Sequence, residues 1–147
     1  MEPRSLPAGA GTVIFTFHDP AAGRPAPMRV FAYFPETVHQ ASTNVLFVMH
    51  GVKRDAEAEF RRSIPLDAAG SDSSMDRQSL LPEKHNFVLL VPEFSTDLFP
   101  KRNEYNFGAV FQNEDPARPR PREKWSFSAI DRIYDAIKSA AQLKTGC

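Results

Sequence analysis

Val45-Leu46-Phe47-Val48-Met49 runs straight into His50-Gly51-Val52. An apolar run with no alternation is the pattern of a strand covered on both faces, and a sheet with helices on each side covers a strand in that way. The His-Gly step then stops the strand in a tight turn at the sheet edge where α/β proteins place their ligands. This combination limits the chain to an α/β architecture more firmly than any other stretch.

The flanking segments agree. Thr12 to Phe17 and Met28 to Phe34 are β-branched and aromatic, and a short Pro/Gly-rich connection between them predicts an antiparallel pair. Ala56 to Arg62 reads as a helix with Asp55 as its N-cap. Gly70 to Ser74 is a polar break, and a second helical piece is expected from about Met75 to Leu81. Phe87 to Pro92 is another apolar strand, so the order strand, helix, strand predicts a parallel crossover. Glu93 to Lys124 is rich in Pro and Asn and reads as one long irregular loop, of a length, beyond about 12–15 residues, that is usually functional or disordered. Ser128 with Asp131 three positions on resembles a capping box, and Ile130, Ile133, Tyr134, Ile137 and Ala141 follow at helical spacing. Thr145-Gly146 reads as the stop of that helix. Residues 1–11 are predicted to be a flexible arm, and 12–147 one domain or part of one.

Bulk composition excludes several classes. The 18 basic and 18 acidic residues cancel to a formal net charge of zero, and no basic stripe exists for a phosphate backbone, so no nucleic-acid partner is expected. The single cysteine is Cys147, which provides neither a disulfide nor a thiolate cluster for zinc. The N-terminal residues lack the apolar core of a signal peptide, about 7–15 residues long, and no run approaches the ~18 apolar residues of a membrane span. A cytoplasmic address without a membrane partner is the expectation.

Candidate chemistry clusters at the strand ends. A tight turn at His50-Gly51 can aim the Val52 N–H into the crevice, where it would stabilise a developing oxyanion, and Gly51 would supply the needed backbone freedom. The dipeptide equally fits a turn in which His50 only hydrogen-bonds the loop. Glu93 follows the fourth strand at the same edge as His50, and Tyr105 and Asn106 in the long loop are candidates to wall a substrate crevice. Lys53-Arg54-Asp55 and Arg61-Arg62 fit either contacts to an anionic substrate or a solvated helix face with local ion pairs. His18, His39 and His85 fall in or beside predicted turns and are expected at the surface. Asp97 and Glu104 have no nearby His, and no metal site is expected.

The series Val48-Met49-His50-Gly51-Val52-Lys53-Arg54-Asp55, Val91-Pro92-Glu93-Phe94, Phe99-Pro100, Tyr105-Asn106-Phe107-Gly108 and Trp125-Ser126-Phe127 resembles the N-terminal half of polyhydroxybutyrate-depolymerase-like or esterase-like α/β-hydrolases, over about residues 12–146. The resemblance implies an α/β fold with a mostly parallel sheet, strands 1 to 4 being present with flanking helices. It implies an oxyanion-hole loop at His50, Gly51, Val52 and Lys53, and no cofactor. It also implies a Ser nucleophile on a G-x-S-x-G elbow after the next strand, then an acid and a His.

No G-x-S-x-G occurs in these 147 residues. Gly70-Ser71-Asp72-Ser73-Ser74 has neither the spacing nor the strand-turn-helix context, so none of the catalytic Ser, acid and His is expected within the chain. The implied function is that of an incomplete, truncated serine hydrolase whose complete enzyme would act on a small-molecule or polymer ester. The alternative is a noncatalytic α/β domain that binds a partner chain or small ligand through the same crevice. In the implied fold one side of Val45 to Met49 lacks a neighbour, and self-association through that open edge is expected.

Overall fold

β2 (Met28–Phe34) is the strand around which the rest assembles: it pairs antiparallel with β1 (Gly11–Phe17) on one side and with β4 (Phe87–Pro92) on the other. The computed structural model describes residues 11–19, 27–39, 41–64 and 86–141. β3 (Asn44–Phe47) joins β4 in parallel, with Asn44 opposite Phe87 and Phe47 opposite Leu90, so the order is β1-β2-β4-β3. The expected mostly parallel sheet is thereby corrected. Among the described strands only β3 and β4 run parallel, because their connection contains the crossover helix α1 (Ala56–Ser63), whereas β1 and β2 follow each other through a short link.

Period-two alternation divides the sheet into two apolar faces. Val30, Ala32 and Phe34 of β2, with Val88 and Leu90 of β4, pack against Ala129, Ile133 and Ile137 of a long helix, and Phe94, Phe99 and Tyr105 join that cluster. Phe31, Tyr33, Leu89 and Val91 face the other way and meet Ala56, Phe60 and Ile64 from α1 and its end. Helices on both faces follow, as the unbroken apolar runs required. β3 is only half-buried along Val45–Phe47, and among the described strands it has a neighbour on one side alone.

α1 starts where expected. The Asp55 carboxylate accepts the Ala58 N–H at 2.9 Å, and Arg61 and Arg62 pair with Glu57 and Glu59 on the solvent side, the solvated-face reading of those arginines. The stretch 93–124 is not the irregular loop expected. It holds a short helix α2 (Arg102–Asn106), a hairpin of β5 (Phe111–Gln112) and β6 (Asp115–Pro119), and a 3₁₀ turn at Arg122–Lys124. Asn113 and Glu114, both with positive φ (52° and 62°), turn that hairpin, the two-residue geometry that normally advertises itself as Asn-Gly.

The last helix, α3 (Ser128–Ala140), buries Ala129, Ile133 and Ile137 as its spacing demanded. Its start differs from the expected capping box. The N-cap position is Phe127; the Ser128 hydroxyl donates to the Arg122 carbonyl at 2.7 Å, and Asp131 takes the Arg122 guanidinium at 3.1 Å. Both side chains thus fasten the 3₁₀ turn rather than cap the helix. Arg132 reaches back to Asp19 at 2.6 Å, tying α3 to the end of β1. Of the arm expected at 1–11, Gly11 instead opens β1; residues 1–10, the polar break at Gly70–Ser74, the helix expected at Met75–Leu81, His85 and the stop at Thr145-Gly146 lie outside the described residues. Among the described residues no helix is long and apolar enough to cross a membrane.

Candidate functional site

Because β3 and β4 are parallel, both leave the sheet at the same edge, and the segments that follow them meet there. His50, 2% exposed, is the junction. Its Nε2 accepts the Phe94 N–H at 3.0 Å, which leaves the ring proton on Nδ1, 3.0 Å from the Gly51 carbonyl that it can donate to. Burial pushes the His50 pKa below its ordinary value, with nearby Arg54 acting in the same direction, and the Gly51 carbonyl opposes them. A neutral imidazole is what this geometry needs, since a protonated Nε2 could not accept from Phe94.

Tyr105 on α2 completes the support. Its ring stacks on His50 with centroids 4.6 Å apart, and its hydroxyl donates to the His50 carbonyl. Burial raises the Tyr105 pKa, keeping the phenol in its donor form. Phe94 and Phe127 close the cluster edge-on. Gly108, at φ +62°, follows α2 directly under the Phe127 ring, where a Cβ would come within 2.9 Å of a ring carbon.

Beyond His50 the chain makes a turn in which the Arg54 N–H returns to the Gly51 carbonyl at 3.0 Å. The backbone freedom expected at Gly51 is not used: its φ is not in the left-handed region, and a Cβ there would touch nothing. The positive φ falls instead on Arg54, at 61°. Among the described residues the Val52 and Lys53 N–H groups have no hydrogen-bond partner, and both residues are exposed.

The other candidates are placed as follows. Glu93, at the exit of β4, forms a two-pronged ion pair with Arg29 of β2, both contacts 2.6 Å, which holds the Arg29 pKa up. Asn106 ends α2, half-buried. Arg54, a candidate anion contact from sequence, donates instead to the Phe94 and Phe99 carbonyls. His18 and His39 are exposed. Among the described residues no group of three His, Cys, Asp or Glu side chains could hold a metal. Sequence reasoning did not find Arg54 and Phe94 as partners of the turn; their advance signals were their position after the two parallel strands and their place in the series that carries the family resemblance.

No family model matches this sequence, and no curated protein does. Solved structures do. Poly(aspartic acid) hydrolase-1 from Sphingomonas sp. KT-1 superposes with a TM-score of 0.66 at 31% identity, over 95% of this chain and 44% of its own. The poly(3-hydroxybutyrate) depolymerase of Bordetella parapertussis superposes with a TM-score of 0.62 at 22% identity, over 93% of this chain and 40% of its own. The chain thus spans less than half the length of either. With two parallel strands delivering the His50 and Phe94 segments to one edge, and helices on both faces, this chain has the fold of part of an α/β-hydrolase domain.

Proposed function

We propose that residues 50–53 are the oxyanion-hole segment of a serine hydrolase acting on a carboxylic ester, small or polymeric, whose Ser, acid and His lie outside these 147 residues. The observation that carries this reading is the turn after β3. Its Val52 N–H has no protein partner among the described residues, while His50 anchors the turn through Phe94 and Tyr105. A donor held rigidly and left without a partner is what stabilises charge that develops only in the transition state. In the complete enzyme the Ser attacks the ester carbonyl and the His takes its proton. The Val52 N–H and the amide after the Ser then hold the tetrahedral oxyanion.

Glu93, Tyr105 and Asn106 border the crevice in this reading. Tyr105 acts from beneath, by holding His50; Glu93 is held by Arg29 at the rim. The two solved relatives act on polymers with ester or amide links, as their names state, which supports an acyl substrate without choosing its size.

The test is to assay p-nitrophenyl butyrate hydrolysis by residues 1–147 and by any longer product of the same reading frame. The expected result is no turnover above a heat-treated control from the former, and saturable turnover from a longer chain that carries G-x-S-x-G. Saturable activity of the 147-residue chain that survives repurification would refute the reading. So would a longer chain that lacks both the elbow and activity, which would instead favour a noncatalytic binding domain.

A further inference from the structure

The Arg54 backbone is in a conformation that L residues other than Asn and Asp rarely adopt, with φ at 61°. A residue selected for backbone alone at this point would be Gly or Asn. The side chain accounts for the exception. Arg54 Nη1 donates to the Phe94 carbonyl at 2.8 Å and to the Phe99 carbonyl at 3.2 Å, and its Cζ lies 4.5 Å from the centroid of the Tyr105 ring. Tyr105 in turn holds the His50 carbonyl and stacks on its ring, while His50 Nε2 holds the Phe94 N–H. Arg54, Tyr105, His50 and Phe94 therefore form a closed ring of contacts in which each member touches at least two others.

We propose that Arg54 is the positioning residue of the His50–Arg54 turn, clamping it to the segment after β4 and to the face of Tyr105, and so fixing the direction of the Val52 and Lys53 amides. The proposal rests on the oxyanion reading for its purpose, not for its geometry. A planar guanidinium suits the task because it can lie flat on an aromatic face while Nη1 at its edge donates to two carbonyls at the rim, an arrangement that a more strongly hydrated ammonium on a flexible stem holds less firmly. The neighbouring Asp55 carboxylate caps α1, and the Arg54 Nη1 contacts are to main-chain carbonyls. The charge is thus committed to holding the backbone. A local rule broken at a site held by its surroundings is the pattern expected where position matters.

The test is ¹⁵N relaxation and amide exchange on the 147-residue chain as Arg54→Gly and Arg54→Lys variants. Arg54→Gly relieves the backbone and removes the clamp, so the two effects oppose each other. The clamp predicts that order parameters at Gly51–Lys53 fall from about 0.85 to below about 0.6. It also predicts that the Phe94 amide exchanges roughly tenfold faster, equivalent to about 1.4 kcal/mol, with protection in β2 and β4 unchanged. Arg54→Lys is expected to lie between the parent and Arg54→Gly. Parent-like order and exchange in Arg54→Gly would overturn the proposal. If Arg54→Gly also loses β2 and β4 protection, Arg54→Lys decides alone: a loosened turn on an intact sheet supports the clamp, and a parent-like turn overturns it. No substrate enters these measurements, so the clamp and the oxyanion reading fail separately.

Discussion

His50→Phe separates what the imidazole nitrogens do from what the ring does. Phenylalanine keeps the aromatic disc that stacks on Tyr105 at 4.6 Å and meets Phe94 edge-on at 6.2 Å, but it can neither accept from the Phe94 N–H nor donate to the Gly51 carbonyl. Phe94 is fully buried, so its N–H loses its acceptor with no water to replace it, at a cost of about 1–3 kcal/mol. The Gly51 carbonyl still accepts from the Arg54 N–H, and its lost bond adds roughly 0.5–1.5 kcal/mol at most. Easier burial of an apolar ring offsets part of this, leaving an expected net loss of about 1–3 kcal/mol. The assay is reversible urea unfolding of parent and variant at one matched protein concentration, followed by the fluorescence of Trp125, the one tryptophan; the midpoint should fall at unchanged slope. The pH dependence supplies a second arm. The folded pKa of His50 lies below its ordinary value, so below about pH 6.5 the unfolded chain takes up a proton that the folded chain resists, and stability falls with pH. The advantage of parent over His50→Phe should therefore be full above about pH 6.5 and shrink below it. A loss smaller than about 0.5 kcal/mol, within the range of a neutral surface substitution, or a difference that does not change with pH, would refute the reasoning.

Gly108→Ala places a Cβ at φ +62° and 2.9 Å from the Phe127 ring, and should cost at least the ~1–2 kcal/mol of a left-handed L residue; a midpoint equal to the parent's in the same urea assay would contradict this. Tyr105→Phe removes the hydroxyl from the His50 carbonyl while keeping the stack, and is expected to cost about 0.5–1.5 kcal/mol, measured by the same midpoint. The 147-residue chain should associate through β3, whose outer edge has no neighbour among the described strands. Light scattering that shows a monodisperse monomer across a wide concentration range would argue against that.

What could be read in the sequence was whatever repeats along an element. Met28–Phe34 and Phe87–Pro92 are strands with the bounds their apolar runs suggested, and Asp55 caps α1 because its short carboxylate can accept an otherwise orphaned N–H of the first turn from just before a helix-forming run. Direction was harder: parallel and antiparallel neighbours both bury apolar runs, so β4 looked like part of a parallel sheet although one of its two partners, β2, runs against it. The stretch after β4 looked irregular because its hairpin turns on Asn113-Glu114 without a glycine, and because α2 has only five residues. The Ser128 and Asp131 pattern did not make a capping box, because both side chains found partners in Arg122 that only the fold brings near. At the site, the edge shared by His50 and Glu93 was visible from the order of the strands. The ring of contacts through Arg54 and Tyr105 joins residues up to 55 positions apart, and no local pattern records such closure.

Whether the Val52 N–H stabilises an oxyanion is read from kcat of Val52→Pro in an active longer chain. Val52 follows the first residue of the turn closed by the Arg54 N–H and the Gly51 carbonyl, a position where proline is favoured, so the donor can be removed with little disturbance. Val52→Ala should keep most of the activity. A Val52→Pro enzyme with the parent's circular dichroism and melting temperature should lose about 2.7–4 kcal/mol of transition-state stabilisation, roughly 10²–10³ in kcat. A folded Val52→Pro enzyme with near-parent kcat would contradict it, and would leave the turn after β3 as a structural connection alone.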